Sequence, residues 1–231
     1  QIADQILNRI PDDRRIKKQW APRPEAGTVD HVTSIEDLPL HQGDWLILSR
    51  TNDKLIKLKP TLQEMAIYFE IKGRKSYKTR LYTAVKHYTR WTNGDKLSLS
   101  ECKDLFEFLE LEQELKEERM YDLKEFNYSI EDQWYEVFKS DPEECLYIRE
   151  MLRNKEELSK PARVKLSTIH AAKGGEATNV LIILDNTKKI REAVDKSEDK
   201  HDEEHRVWYV GVTRTKQNLY IMTPKREDRS Y

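Results

Sequence analysis

The spacing of apolar residues changes twice along the chain. Near the amino end Ile2, Ile6 and Ile10 recur at helical spacing, and Pro11 with the charged run behind it ends that helix. Residues 29–40 read as a short strand and a turn. Trp45–Leu48 is an unbroken apolar run between Gly43 and the polar SRTN, the pattern of a strand buried on both faces. The period then lengthens. Residues 61–70 predict a helix, and in the basic, aromatic stretch that follows Tyr77, Leu81, Ala84, Val85 and Tyr88 share one helical face. Ser100 is placed to cap a helix carrying Leu105, Phe108, Leu109 and Leu115. Helical segments near 129–140 and 142–158 follow, and Pro161 closes the block. Short runs then return: RVKLSTIH, NVLIILD and NLYIMTP read as strands, KKIREAVDKSEDK as a charged surface segment, and DEEHRVWYVGVTRT as a helix ending in a basic loop.

Strand-rich ends therefore enclose a helical middle. Strands at 45–48, 164–169, 180–184 and 218–222 predict one mainly parallel sheet flanked by helices, an α/β fold. Residues 1–61 and 161–231 form that domain in this reading, and 62–160 are an inserted helical subdomain.

Composition narrows the function. Among 231 residues, 41 Lys and Arg face 42 Asp and Glu, so a globally basic binder is excluded and any nucleic-acid contact must come from a local patch. No run approaches the roughly 20 apolar residues of a membrane span. Gln1 opens no signal-peptide pattern, and a first residue other than Met predicts a piece of something longer. Cys102 and Cys145 make no metal or disulfide pattern and fit a reducing cytoplasm.

WLILSRTN, STIHAAKGGE and YVGVTRT are apolar runs that end in polar or Gly-rich loops, where parallel sheets bind ligands. Arg50 and Arg214 in two of them suit a phosphate clamp; two arginines in separate salt bridges is the plainer alternative. Between 72 and 91, cations including Arg74, Lys75 and Lys78 alternate with Tyr77, Tyr82, Tyr88 and Trp91, which suits a nucleic-acid strand. The acidic residues from Glu101 to Glu118 offer the alternative of a basic helix packed beside an acidic one. HDEEH at 201–205 fits a zinc-protease pattern, with His201 and His205 as ligands and Glu204 as base. No third ligand stands out, a charged stretch yields such matches easily, and no metal site is assigned.

VKLSTIHAAKGGEATNVLIILD resembles motif V of superfamily-one DNA helicases of the UvrD, Rep and PcrA type, DEEHRVWYVGVTRTKQNLYIMTP resembles their motif VI, and WLILSRTN their motif IV. The three stand in the family's order. The resemblance implies the second RecA-like domain of such a motor, a P-loop NTPase type of fold without the P-loop, with the short insert as its accessory subdomain. It implies that Arg50 and Arg214 reach the γ-phosphate of ATP as arginine fingers, and that Gly174 and Glu176 meet the nucleotide, the latter at the ribose. It implies that Thr168, His170 and Lys173 contact single-stranded or partly duplex DNA, and that Arg206 and Tyr209 support the motif VI loop. Gly175 replaces the family's usual apolar residue, and Ser49 stands where many members place an aromatic that stacks on adenine.

No GxxxxGK[ST] occurs in the sequence, and LIILD and DEEH only mimic a Walker B strand and a DExx box. A first RecA-like domain upstream of Gln1 is therefore expected to hold the Walker motifs and the Mg2+ ligands, and this chain alone is expected not to hydrolyse ATP. The resemblance suggests 3′-to-5′ movement. The competing expectation is a non-catalytic DNA-binding or protein-interaction module that keeps the motor fold.

Overall fold

A computed structural model of the chain describes residues 2–15, 26–109, 118–126, 133–172 and 174–223, with positions 111, 113, 115 and 116. The chain divides into two compact units, Gln1–Arg74 with Ser159–Tyr231, and Lys75–Leu158.

The first unit begins with α1 (Ile2–Leu7), β1 (Thr28–Val32), β2 (Trp45–Ser49), α2 (Asn52–Glu64), β3 (Phe69–Ile71) and β4 (Arg74–Lys75), whose last residue opens the second unit. The second unit continues with α3 (Thr79–Thr92), β5 (Leu97–Ser98), α4 (Leu99–Leu109), β6 (Met120–Tyr121), α5 (Trp134–Val137) and α6 (Pro142–Arg153). The chain then returns to the first unit through β7 (Val164–Thr168), β8 (Ala177–Ile183), α7 (Lys188–Lys196), α8 (Glu198–Val212) and β9 (Thr215–Met222).

Seven strands form one sheet in the order β1-β9-β8-β2-β7-β3-β4. The pairs β1–β9, β9–β8, β8–β2, β2–β7 and β7–β3 are all parallel. Strand β2 lies between β7 and β8, and all five of its residues are buried. Its side chains alternate between two cores, as the pleat requires. Trp45 and Ile47 join Leu55, Leu62, Phe69, Leu166 and Leu181 on the face that α2 covers. Leu46 and Leu48 join Ile169, Val180, Ile182, Trp208 and Tyr209 on the face that α8 covers. This is the α/β architecture predicted, a mainly parallel sheet flanked by helices.

The helix expected over 61–70 lies elsewhere. It runs over Asn52–Glu64, and β3 follows as a sheet strand. Ala66 takes a left-handed φ of 51°, and the Ile67 amide returns to the Leu62 carbonyl at 2.9 Å, which closes the helix without a glycine. Residues 62–74 thus fall with the sheet, which moves the boundary expected at 61/62 to 74/75. The charged segment 188–200 is largely helical: α7 buries no residue and leads directly into α8. Ser98, not Ser100, caps α4, accepting from the Glu101 amide at 3.4 Å while Glu101 accepts from the Ser98 amide at 2.9 Å. Within 129–140 the described helix is the short α5.

Ile47 has no exposed surface at the centre of the sheet. Ile47→Ala is expected to lower unfolding free energy by about 2–5 kcal/mol, read from the urea midpoint at unchanged slope.

Candidate functional site

Two edges of the sheet carry the residues singled out in the sequence. At the carboxyl edge β2 ends on Ser49, which is fully buried. Its hydroxyl donates to the Thr51 carbonyl and accepts from the Thr51 amide, turning the chain sharply out of the sheet. Arg50 is at that turn and α2 starts two residues on. The amino end of α2 has no side-chain cap, and the Thr51 hydroxyl is buried with no partner among the described residues. Such a helix end favours an anion.

Strand β7 ends beside β2. The Ile169 amide donates to the Ser49 carbonyl at 3.0 Å. Thr168 accepts from the Ala171 amide on its hydroxyl and from the Ala172 amide on its carbonyl, so the chain folds into a turn with His170 exposed on it. The loop then crosses to the amino edge of the sheet. Gly174 has φ +88°, a conformation that L side chains rarely adopt, and Glu176 is exposed and interacts within the protein. Lys173 lies outside the described residues.

Helix α8 runs from one edge to the other. Near its start Glu204, 4% exposed, accepts from Arg50 Nε on both oxygens, at 2.9 and 3.2 Å, and from Trp208 Nε1 at 2.8 Å. Arg50 Nη1 is 3.5 Å from His170 Nδ1, and its Nη2 has no partner among the described residues. At the far end Arg214 immediately precedes β9. Its Nε donates to the Val210 carbonyl at 3.1 Å, one Nη lies 3.5 Å from the Gly175 carbonyl and the other reaches the Thr213 hydroxyl at 3.3 Å. Arg214 therefore stands just past the end of a helix, as expected for DEEHRVWYVGVTRT, and at the amino edge of the sheet. The two arginines do not touch. The residues that hold them, Glu204 and Val210, are about 9 Å of helix rise apart. A cavity of about 300 Å³ is lined by Ile169, His170, Arg206, Val207, Val210 and Arg214, with Arg50 not among its lining residues. Arg206 also donates to the Arg14 carbonyl at 2.9 Å, and Tyr209 is buried.

A second cavity of about 250 Å³ lies under α1, lined by Ile2, Ile6, Ile182, Trp208 and Ile221 among others. It holds none of the residues assigned from sequence.

In the second unit the basic helix packs beside the acidic one. Arg80 pairs with Glu107, and Arg90 with Glu101 at 2.6 Å. Tyr77, Tyr88 and Trp91 are buried, so these three rings form core and not a stacking surface. Glu110, Glu112, Glu114 and Glu117 lie outside the described residues. Lys75 donates to the Tyr77 hydroxyl at 3.0 Å and the Leu158 carbonyl at 3.2 Å. Lys78 is exposed, and so is Arg74, which belongs to the first unit.

The zinc pattern does not assemble. His201 and His205 bring their Nε2 atoms to 3.1 Å, but Glu204 turns to Arg50 and Trp208. Among the described residues no three His, Cys, Asp or Glu side chains gather to hold a metal ion. Glu204 is the residue whose role sequence reasoning missed. Its signal was the spacing Glu204/Trp208, which puts a carboxylate and an indole on one helical face.

A scan against models of protein families matches residues 73–226 to the UvrD-like helicase C-terminal domain. A search of curated proteins gives no match. No helix among the described residues is long and apolar enough to cross a membrane.

The His205 imidazole is held far below its usual range, at about 4, first by burial and then by His201 and Arg9, with Asp202 opposing. Asp202 is itself paired with Arg14 at 2.9 Å. Because the folded pKa is depressed, the unfolded chain takes up a proton first as pH falls. The stabilisation is complete above about 6.5 and is lost as pH falls toward 4. Unfolding free energies from urea titrations at pH 7 and pH 4.5 are expected to differ by about 1–3 kcal/mol more in the parent than in His205→Gln.

Proposed function

The chain belongs to the UvrD-like helicase C-terminal domain family, and on that premise we propose that its sheet-bearing unit is the second RecA-like motor domain of an ATP-dependent DNA helicase. ATP binds between this domain and an upstream RecA-like domain that supplies the Walker motifs and the Mg2+ ligands. ATP is the substrate; its terminal phosphoryl group gathers negative charge on transfer, which a positioned guanidinium stabilises.

The observation that carries this reading is the run of Arg50, His170 and Arg214 along α8. Arg50 offers an unpartnered Nη2 beside the uncapped amino end of α2 and the idle Thr51 hydroxyl. Charge, dipole and a free hydroxyl at one place suit a phosphate. Arg214, bound to neutral oxygens, is the second finger and must release the Val210 carbonyl to extend. Gly174 and Glu176, beside Arg214 at the amino edge, suit the sugar end of the nucleotide. Thr168 and His170 contact single-stranded DNA, with Lys173 beside them in sequence. The Arg50–His170 contact links the two ligands directly. Domain closure on the γ-phosphate shifts Thr168 and His170 along the DNA strand, and hydrolysis releases them, a population shift driven by a ligand that both domains bind.

In the protein joined to its upstream domain, Arg50→Ala and Arg214→Ala are each expected to lower ATP turnover about 10³-fold. Near-normal turnover in either would remove that residue from the site. His170→Ala should weaken DNA stimulation more than basal hydrolysis, and equal losses in both would assign it to structure.

The basic residues singled out between 72 and 91 have their own test. Exposed Arg74 and Lys78 would contact DNA phosphates, whereas Lys75 is held by Tyr77 and Leu158. Replacing Arg74 and Lys78 by Ala should reduce the slope of log K against log salt on single-stranded DNA by about 1.4. An unchanged slope would take these residues off the DNA path.

A further inference from the structure

We infer that Glu204 is the positioning residue for Arg50, holding it by the inner Nε–H so that the outer nitrogens stay available for a phosphate and for His170. This rests on reading Arg50 as an arginine finger.

The Glu204 side chain is 5% exposed and that of Arg50 22%. A buried carboxylate is costly unless paired and hydrogen-bonded. Here one oxygen accepts from Arg50 and the other from both Arg50 and Trp208. Trp208 is 1% exposed and one turn along α8, so the indole fixes the carboxylate and the carboxylate fixes the arginine. Arg50 donates to Glu204 through Nε, to both carboxylate oxygens, and not through Nη1 or Nη2. A structural ion pair gains most from a bidentate fork that uses an outer nitrogen as well. The Nε-only pairing instead orients the fork away from the carboxylate, which removes rotamer freedom before the phosphate arrives. Nη1 lies near His170 and Nη2 is unpartnered among the described residues. Glu204 does not touch the nucleotide in this scheme; it acts through Arg50.

A double-mutant cycle tests this in the protein joined to its upstream domain. Glu204→Gln keeps the shape and removes the charge. It is expected to lower kcat for ATP by about 10-fold or more with KM changed by less than about 3-fold, because orientation of the finger matters in the transition state. Arg50→Ala is expected to cost about 10³-fold. The double variant should match Arg50→Ala within about 2-fold, since Glu204 then has nothing to position. Losses that multiply would overturn the inference while leaving Arg50 as a finger. Full turnover in Arg50→Ala alone would overturn the finger reading itself, and the inference with it.

A second readout needs no hydrolysis. In the 231-residue chain, ¹⁵N spectra should show the Arg50 Nε–H and Trp208 indole N–H resonances shift in Glu204→Gln, with the rest of the spectrum kept. An unmoved Arg50 Nε–H would also overturn the inference. If Glu204→Gln fails to fold, Trp208→Phe takes its place in the cycle. It should lower kcat less, and again without adding to Arg50→Ala.

Discussion

Complete burial of β2 is the constraint on which the rest of the first unit depends. A strand that hides both faces must lie inside a parallel sheet with helices on each side. β7 and β8 flank it, α2 covers one face and α8 the other. Its polar exit is then confined to the carboxyl edge. Ser49 turns the chain there by bonding to Thr51, and Arg50 emerges beside the end of β7. The nearness of Arg50 to His170 follows from strand order and register, since Ser49 pairs with Thr168.

Helix α8 converts that edge into a site with two ends. It runs back across the sheet, so its first turns meet Arg50 and its last turn meets the amino edge, where Arg214 bridges toward Gly175. Close approach is possible because Gly211 faces Ile169 and Ile182. A methyl group there would stand 3.3 and 3.4 Å from their side chains. A side chain at that position would need Ile169 and Ile182 to give way by a few tenths of an ångström.

Among the described residues of the second unit, Arg80 and Arg90 pair with carboxylates of α4. The aromatic residues that alternate with cations in sequence turn inward: Trp91 meets Phe106 and Phe126, and Tyr88 meets Phe138. Two of the cations left outside, Arg80 and Arg90, meet carboxylates of α4. A basic-aromatic stretch is ambiguous in sequence because the same rings serve a core or a stack of bases, and only burial decides between them.

The sequence by itself determined the α/β class and the four adjoining strands β2, β7, β8 and β9, because each rests on local periodicity or on a contiguous motif. A buried strand shows as an apolar run whatever packs against it. The stop of α2 was hidden, since Ala66 adopts a left-handed conformation without the glycine that normally marks one, and apolar residues on both sides fit a helical period. The pairing of Arg50 with Glu204 was also hidden. Those residues are 154 positions apart, and only the parallel register and the antiparallel run of α8 bring them together. A carboxylate in a charged segment reads as solvated until its burial is known. Tertiary structure turned that same carboxylate into the group that orients the arginine, because a buried charge has to find its partner across the fold.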